Sequence, residues 1–270
     1  MADTSFTNNV IIITGATSGI GRELAYQLAE QGAWLSLAAR DTSRLDAVQQ
    51  ECITRGGKAL TVPTDVGYEL QCAALIERTV ETFGRIDMLV NNAGLSMWAK
   101  FDEITDLSMF ETIMRVNYLG SVYCTFYALP HLKERKGLIV GISSLTGKIG
   151  VPTRTGYAAS KHAMAGFFDS LRIELEDSGV GVTMIYPGFV ATEVRERAYG
   201  PDGKPMGKSP MEESYTMPAD ECARHIIRAM TSRKRELVMT SRGKLGLWMK
   251  LIAPGAVDRV AKKAIEEGKT

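Results

Sequence analysis

The stretch Val10-Ile11-Ile12-Ile13-Thr14-Gly15-Ala16-Thr17-Ser18-Gly19-Ile20-Gly21 decides the fold. A short β-branched run ending in a Gly-rich turn reads as a strand buried on both faces. After it, Ile20, Leu24 and Leu28 recur at helical spacing with Ala25 and Ala29 beside them, and Gly32 is placed to cap the helix end. Glycines between a strand and a helix let backbone approach a pyrophosphate, and the helix N-terminus offers free N–H groups and a positive dipole end. In a doubly wound sheet this turn faces the nucleotide crevice, so Gly15, Thr17, Ser18, Gly19, Ile20 and Gly21 are candidate cofactor contacts. Taken alone, such a turn also serves tight packing.

Working outward, the alternation continues. Strands are predicted at Ala33 to Ala38, ending near Val62, and at Met88 to Val90, Leu138 to Ile142, Val182 to Tyr186 and Glu236 to Met239. Between them lie helical patterns around Leu45, Val48, Cys52 and Ile53, then Glu69 to Phe83, Met109 to Phe126, Tyr157 to Asp177 and Ala219 to Met230. Strands alternating with helices mean a parallel sheet with right-handed crossovers. The expectation is an α/β, Rossmann-like, doubly wound seven-stranded sheet with helices on both faces, forming one domain over residues 1–270. Residues 192–217, rich in glycine, proline and charge, are too long for a simple connection and read as a substrate lid with a short helix near its start. Residues 243–270 read as a C-terminal helical extension.

Composition narrows the function. The 32 basic and 31 acidic residues are scattered, with no stripe to neutralise a nucleic-acid backbone. Cys52, Cys72, Cys124 and Cys222 lack metal or redox spacing, and His131, His162 and His225 do not cluster, so no metal site is expected. Isolated thiols and a polar start running directly into the first strand lead to the expectation of a cytoplasmic protein without a leader. The segment from Arg242 to Lys263 mixes Leu245, Leu247, Trp248, Leu251 and Ile252 with basic residues, a composition suited to a membrane surface, to closing the pocket, or to a partner subunit.

At the end of the second strand, where NAD enzymes place a carboxylate on the adenosine ribose, stand Ala39 and Arg40. A guanidinium there pairs with a 2′-phosphate, so the cofactor is read as NADP(H), with Arg44 as helper. Tyr157 and Lys161, four apart in a helical stretch, share a face, and an ammonium stabilises a phenolate. Ser144 follows the fifth strand at its carboxyl end, placed to polarise a carbonyl, with Ser143 as the competing choice. Met97, Trp98, Leu145, Val151 and Phe189 are equally suited to a pocket wall or to ordinary core.

These motifs, with Asn91-Asn92-Ala93-Gly94 in between, resemble the short-chain dehydrogenase/reductase family from about Val10 to Thr192. Gly147-Lys148 through Phe168-Asp169 and Leu251 to Gly255 look like the subgroup described as member seven. The resemblance implies hydride transfer between a nicotinamide and a carbonyl or alcohol, with Tyr157 as general acid/base and Lys161 on the nicotinamide ribose. It selects Ser144 by its thirteen-residue spacing to Tyr157, and it makes Asn117 the holder of a relay water. It further implies Asp65 and Val66 along the adenine, Asn91, Ala93 and Gly94 along the adenosine ribose, and Pro187, Gly188, Val190 and Thr192 beside the carboxamide. An apolar small-molecule substrate and a homodimer or homotetramer complete the expectation. The rivals are a 3-oxoacyl thioester reductase, a nucleotide-sugar epimerase or dehydratase, and a sensor that binds NADP(H) without turnover.

Overall fold

The computed structural model describes residues 5–207 and 216–266. Strand β1 (Val10–Thr14) leads into helix α1 (Gly19–Ala29), followed by β2 (Trp34–Ala39), α2 (Thr42–Thr54), β3 (Lys58–Pro63), α3 (Glu69–Phe83) and β4 (Met88–Asn91). Next come α4 (Ser108–Met114), α5 (Gly120–Arg135), β5 (Leu138–Ile142), α6 (Thr155–Glu174) and β6 (Gly181–Tyr186), then α7 (Ala219–Thr231), β7 (Glu236–Val238), α8 (Ser241–Ile252) and α9 (Pro254–Glu266). All strands pair in parallel in the order β3-β2-β1-β4-β5-β6-β7, so β1 and β4 flank the switch point where ligands gather.

Continuous apolar strands are required because both faces are covered. Ile11 and Ile13 face α1, α2 and α7 through Leu24, Leu28, Leu45, Val48 and Ile226. Ile12 and Leu89 face α3, α5 and α6 through Leu75, Cys124, Leu132 and Phe168. All four cysteines are buried free thiols, and Ile53, expected on the buried face of α2, is 47% exposed.

Three boundaries differ from expectation. The helix foreseen over Met109 to Phe126 is two helices joined by a π turn at Arg115–Leu119, and the second runs on to Arg135. The segment from Thr192, expected to begin with a short helix, opens with turns instead; its bonds from Ala198 N to Arg195 O and from Arg197 N to Glu193 O do not propagate. Glu193 is drawn sideways to Arg22 and Arg44, which holds this chain across the cleft instead of coiling it. Residues 208–215 of the expected lid and 267–270 of the expected extension lie outside the described residues.

Candidate active site

A cleft of about 670 Å³ opens at the carboxyl ends of β1, β4 and β5, and one wall runs from Gly15 through Thr17, Ser18, Gly19 and Ile20. Gly15 and Gly19 both have positive φ, at 67° and 52°. A Cβ on Gly21 would lie 2.3 Å from Gly15 O and 2.4 Å from Asn92 Nδ2, so the turn closes only around glycine. Ser18 makes no side-chain cap, which leaves the first N–H groups of α1 to the cleft. Oriented N–H donors at a helix start suit a pyrophosphate, so these residues fit the dinucleotide that the turn implies.

The adenosine end is exposed. Arg40 lines it together with Ala39, Asp65 and Val66. Asp41 does not neutralise Arg40: its carboxylate accepts from Arg44 N and Ser43 Oγ as the cap of α2. Those bonds hold it below the ordinary carboxylate range. Arg44, the expected helper, lines the same end and pairs with Glu193 at 2.9 Å.

Asn91 turns its side chain into the core, where Nδ2 donates to Thr125 Oγ1. Its neighbour Asn92, not singled out from sequence, lines the cleft and donates to Thr14 O and Gly15 O. Ala93, Gly94 and Thr192 line the cleft as expected, whereas Pro187, Gly188 and Val190 stand outside that lining. Pro187 O accepts from Leu145 N, and Val190 O accepts from Arg195, so this turn braces the walls on either side.

At the catalytic end, Tyr157 and Lys161 line the cleft, with Lys161 Nζ 5.9 Å from the Tyr157 ring centroid. Lys161 is buried, and Nζ donates to Ile142 O at 2.8 Å. Burial pulls its pKa down to about 8. Burial pushes the Tyr157 phenol above its ordinary value, and two neighbours pull it back, first the Arg154 guanidinium and then the Ser144 hydroxyl. The cation that acts on the phenol is thus Arg154, three residues before Tyr157, beside the Lys161 that the four-residue spacing points to. Ser144 itself accepts from Thr146 N at 3.2 Å, and Ser143 donates to Lys161 O at 3.3 Å.

Asn117 occupies the π turn, fully buried. Oδ1 accepts from Leu95 N at 2.7 Å, and Nδ2 donates to Leu95 O and Ser160 Oγ at 2.9 Å each. The extra backbone residue of a π turn aims a side chain that a regular helix would leave elsewhere. Both amide hydrogens are used within the protein, and Asn117 ties the loop after β4 to α6. A Cβ on Gly94 would sit 3.3 Å from Asn117 Oδ1 and 3.6 Å from Lys161 Nζ, so the two side chains meet at that glycine.

A parallel sheet with a glycine turn at its switch point, and a Tyr and Lys pair at the far end of the same cleft, define a dinucleotide-binding α/β oxidoreductase. The short-chain dehydrogenase family profile matches residues 9–201, and the chain belongs to that family. It is similar to a dehydrogenase/reductase SDR family protein 7-like from Dictyostelium discoideum, 34% identical over 97% of this chain and 83% of that one. Mouse dehydrogenase/reductase SDR family member 7B is 35% identical over the same shares. An 11-beta-hydroxysteroid dehydrogenase from Pinus massoniana is 39% identical over 81% of this chain and 63% of its own. Among solved structures, an alcohol dehydrogenase from Thermococcus sibiricus complexed with 5-hydroxy-NADP is 28% identical, with a TM-score of 0.72 over 85% of this chain and 94% of that one. A Burkholderia phymatum short-chain dehydrogenase/reductase in complex with NAD is 23% identical, with a TM-score of 0.80 over 98% and 97%, a likeness of fold.

Proposed function

We propose that the protein interconverts a carbonyl and an alcohol with NADP(H), Tyr157 acting as general acid in reduction and general base in oxidation. The observation that carries this reading is Tyr157 in the cleft wall with Lys161 one turn on, at the end opposite Arg40. A nicotinamide held there would supply or accept the hydride. The chain's own residues do the rest. Ser144 polarises the carbonyl, Tyr157 passes the proton, and Lys161 with water beside Asn117 reconnects it to solvent. Gly15 to Gly21 hold the pyrophosphate, and Asp65, Val66, Asn92 to Gly94 and Thr192 frame the remainder. Arg40, whose neighbour Asp41 is occupied as a cap, reads the 2′-phosphate. Turnover of NADPH and NADH against a panel of ketones, aldehydes, steroids and acyl thioesters tests this; activity confined to acyl thioesters replaces the reading with a thioester reductase, and binding without turnover replaces it with a sensor.

A specific feature favours a lipid-dissolved substrate. Helix α8 packs its small edge inward, Gly243 against Leu145 and Leu247 into the core, while Lys250 Nζ donates to Lys148 O. Its opposite face carries Leu245, Trp248 and Ile252 at helical spacing, 61%, 70% and 84% exposed. Arg242 and Lys244 border that face. No helix among the described residues is long and apolar enough to cross a membrane. We read α8 as resting on an acidic bilayer surface beside the pocket, with residues 192–217 as the lid and the rest of the protein in the cytoplasm. Liposome flotation with Leu245→Ser/Trp248→Ser against the parent chain tests it; equal flotation refutes it. Exposed Phe126 on α5 and Ile173 on α6 support assembly into a homodimer or homotetramer, which light scattering checks.

A further inference from the structure

Arg154 stands immediately before α6 and is 6% exposed. Its Nη1 donates to Ser96 Oγ at 2.6 Å, and its Nε is buried with no hydrogen-bond partner. The guanidinium Cζ lies 4.3 Å from the Trp98 ring centroid, 5.6 Å from that of Tyr157 and 5.9 Å from that of Phe189. Charged side chains are rarely buried unless an opposite charge or a full set of hydrogen bonds compensates them. Aromatic faces offset part of that cost, yet among the described residues neither Arg154 nor Lys161 pairs with a carboxylate. A further charged group acting on Arg154 is the buried Arg195, a second cation.

Two buried cations therefore bracket Tyr157 along α6, one turn before it and one turn after it. We propose that Arg154 is a positioning residue of the active site, and that the ionised Tyr157 is the counter-ion completing the Arg154–Tyr157–Lys161 cluster. The inference rests on Tyr157 being the acid/base group and adds what makes its ionised form accessible. The division of labour follows from the two cations themselves. Burial brings Lys161 to about 8 and Arg154 only to about 10, so Arg154 keeps its charge across a pH range in which Lys161 loses its own. Groups facing the phenol from each packed element are Ser144 from the β5 end and Arg154 and Lys161 from α6; Ser96, from the loop after β4, reaches it only through Arg154.

In alcohol oxidation kcat/KM rises as Tyr157 ionises. A unit charge of the order of 6 Å away, in a medium of effective dielectric about 20, corresponds to roughly two pH units. In the Arg154→Met holoenzyme the rising limb moves to higher pH by roughly one to two units, while Arg154→Lys keeps it within about half a unit. Cofactor affinity stays at the parent value in both, because Arg154 is outside the cofactor cleft lining. Arg154→Gln, which keeps a donor for Ser96, replaces the Met variant if that fails to fold. Tyrosinate difference absorbance, parent minus Tyr157→Phe, reads the same ionisation without turnover. A folded, cofactor-binding neutral variant whose Tyr157 ionises at the parent pH overturns the inference. Full activity of Tyr157→Phe would instead remove the reading of Tyr157 on which it rests.

Discussion

The two ends of the cleft are built on opposite electrostatic plans. At the adenosine end Arg40 is exposed, Arg44 and Glu193 pair in solvent, and the backbone turn from Gly15 to Gly21 holds the geometry. At the catalytic end Lys161, Asn117, Ser160 and Arg154 are buried, and their positions depend on one another through Leu95 and Ser96. Exposed charges are screened and worth little each, while buried groups act strongly and fail together. Changes at the first end should be graded; changes at the second should be severe.

The largest expected effect is at Tyr157. Tyr157→Phe lowers kcat by about 10²–10⁴-fold with cofactor affinity retained, measured by steady-state turnover and cofactor fluorescence. A loss of binding instead of turnover would break the contrast between the two ends. Asn117→Ala removes three hydrogen bonds of a buried side chain and lowers stability by about 1–3 kcal/mol in denaturant titration, and with it the turnover. At the cofactor end, Gly21→Ala forces a methyl against Gly15 O and costs about 1–3 kcal/mol while weakening cofactor binding. Arg40→Ala raises KM for NADPH by about tenfold and leaves NADH nearly unchanged, the graded response of an exposed pair; equal loss with both cofactors would deny Arg40 its role.

The smallest effect is a pH dependence of stability. Burial depresses Lys161 to about 8 in the folded chain, below its unfolded value, so the unfolded state binds more protons as pH rises past 8. The burial penalty is thus fully present below pH 8 and is relieved toward the unfolded value near 10.4. Cys52 and Cys222, both pushed up to about 12, act in the opposite sense between their ordinary range and that value. The clean measurement is therefore the difference between the parent and Lys161→Met, in which stability of the parent gains relative to the variant on raising the pH from 7 to 9. A flat difference would mean that Lys161 is not desolvated.

The adenosine end was the more legible from sequence because local spacing specifies it. A strand, a glycine turn and a helix start within a dozen residues, and Arg40 follows the next strand directly. The catalytic end was legible only in part. Tyr157 and Lys161 share a helix face at four-residue spacing, but Arg154 is an ordinary loop arginine until the fold places Ser96, Trp98 and Phe189 around it. Likewise Asn91 and Asn92 are adjacent and chemically identical, and only the pleat at the end of β4 sends one to Thr125 and the other to the cleft.

The periodicity of apolar residues and the glycine turn pointed, without coordinates, to seven strands alternating with helices and to the turn that opens the cleft, because those patterns are written within one or two turns of chain. Tertiary structure alone decided which cations meet the phenol, that α4 breaks at a π turn to aim Asn117, and that α8 leaves its apolar face outward. Those outcomes depend on segments far apart in sequence, and burial converts such distant neighbours into strong electrostatic partners by removing the water between them.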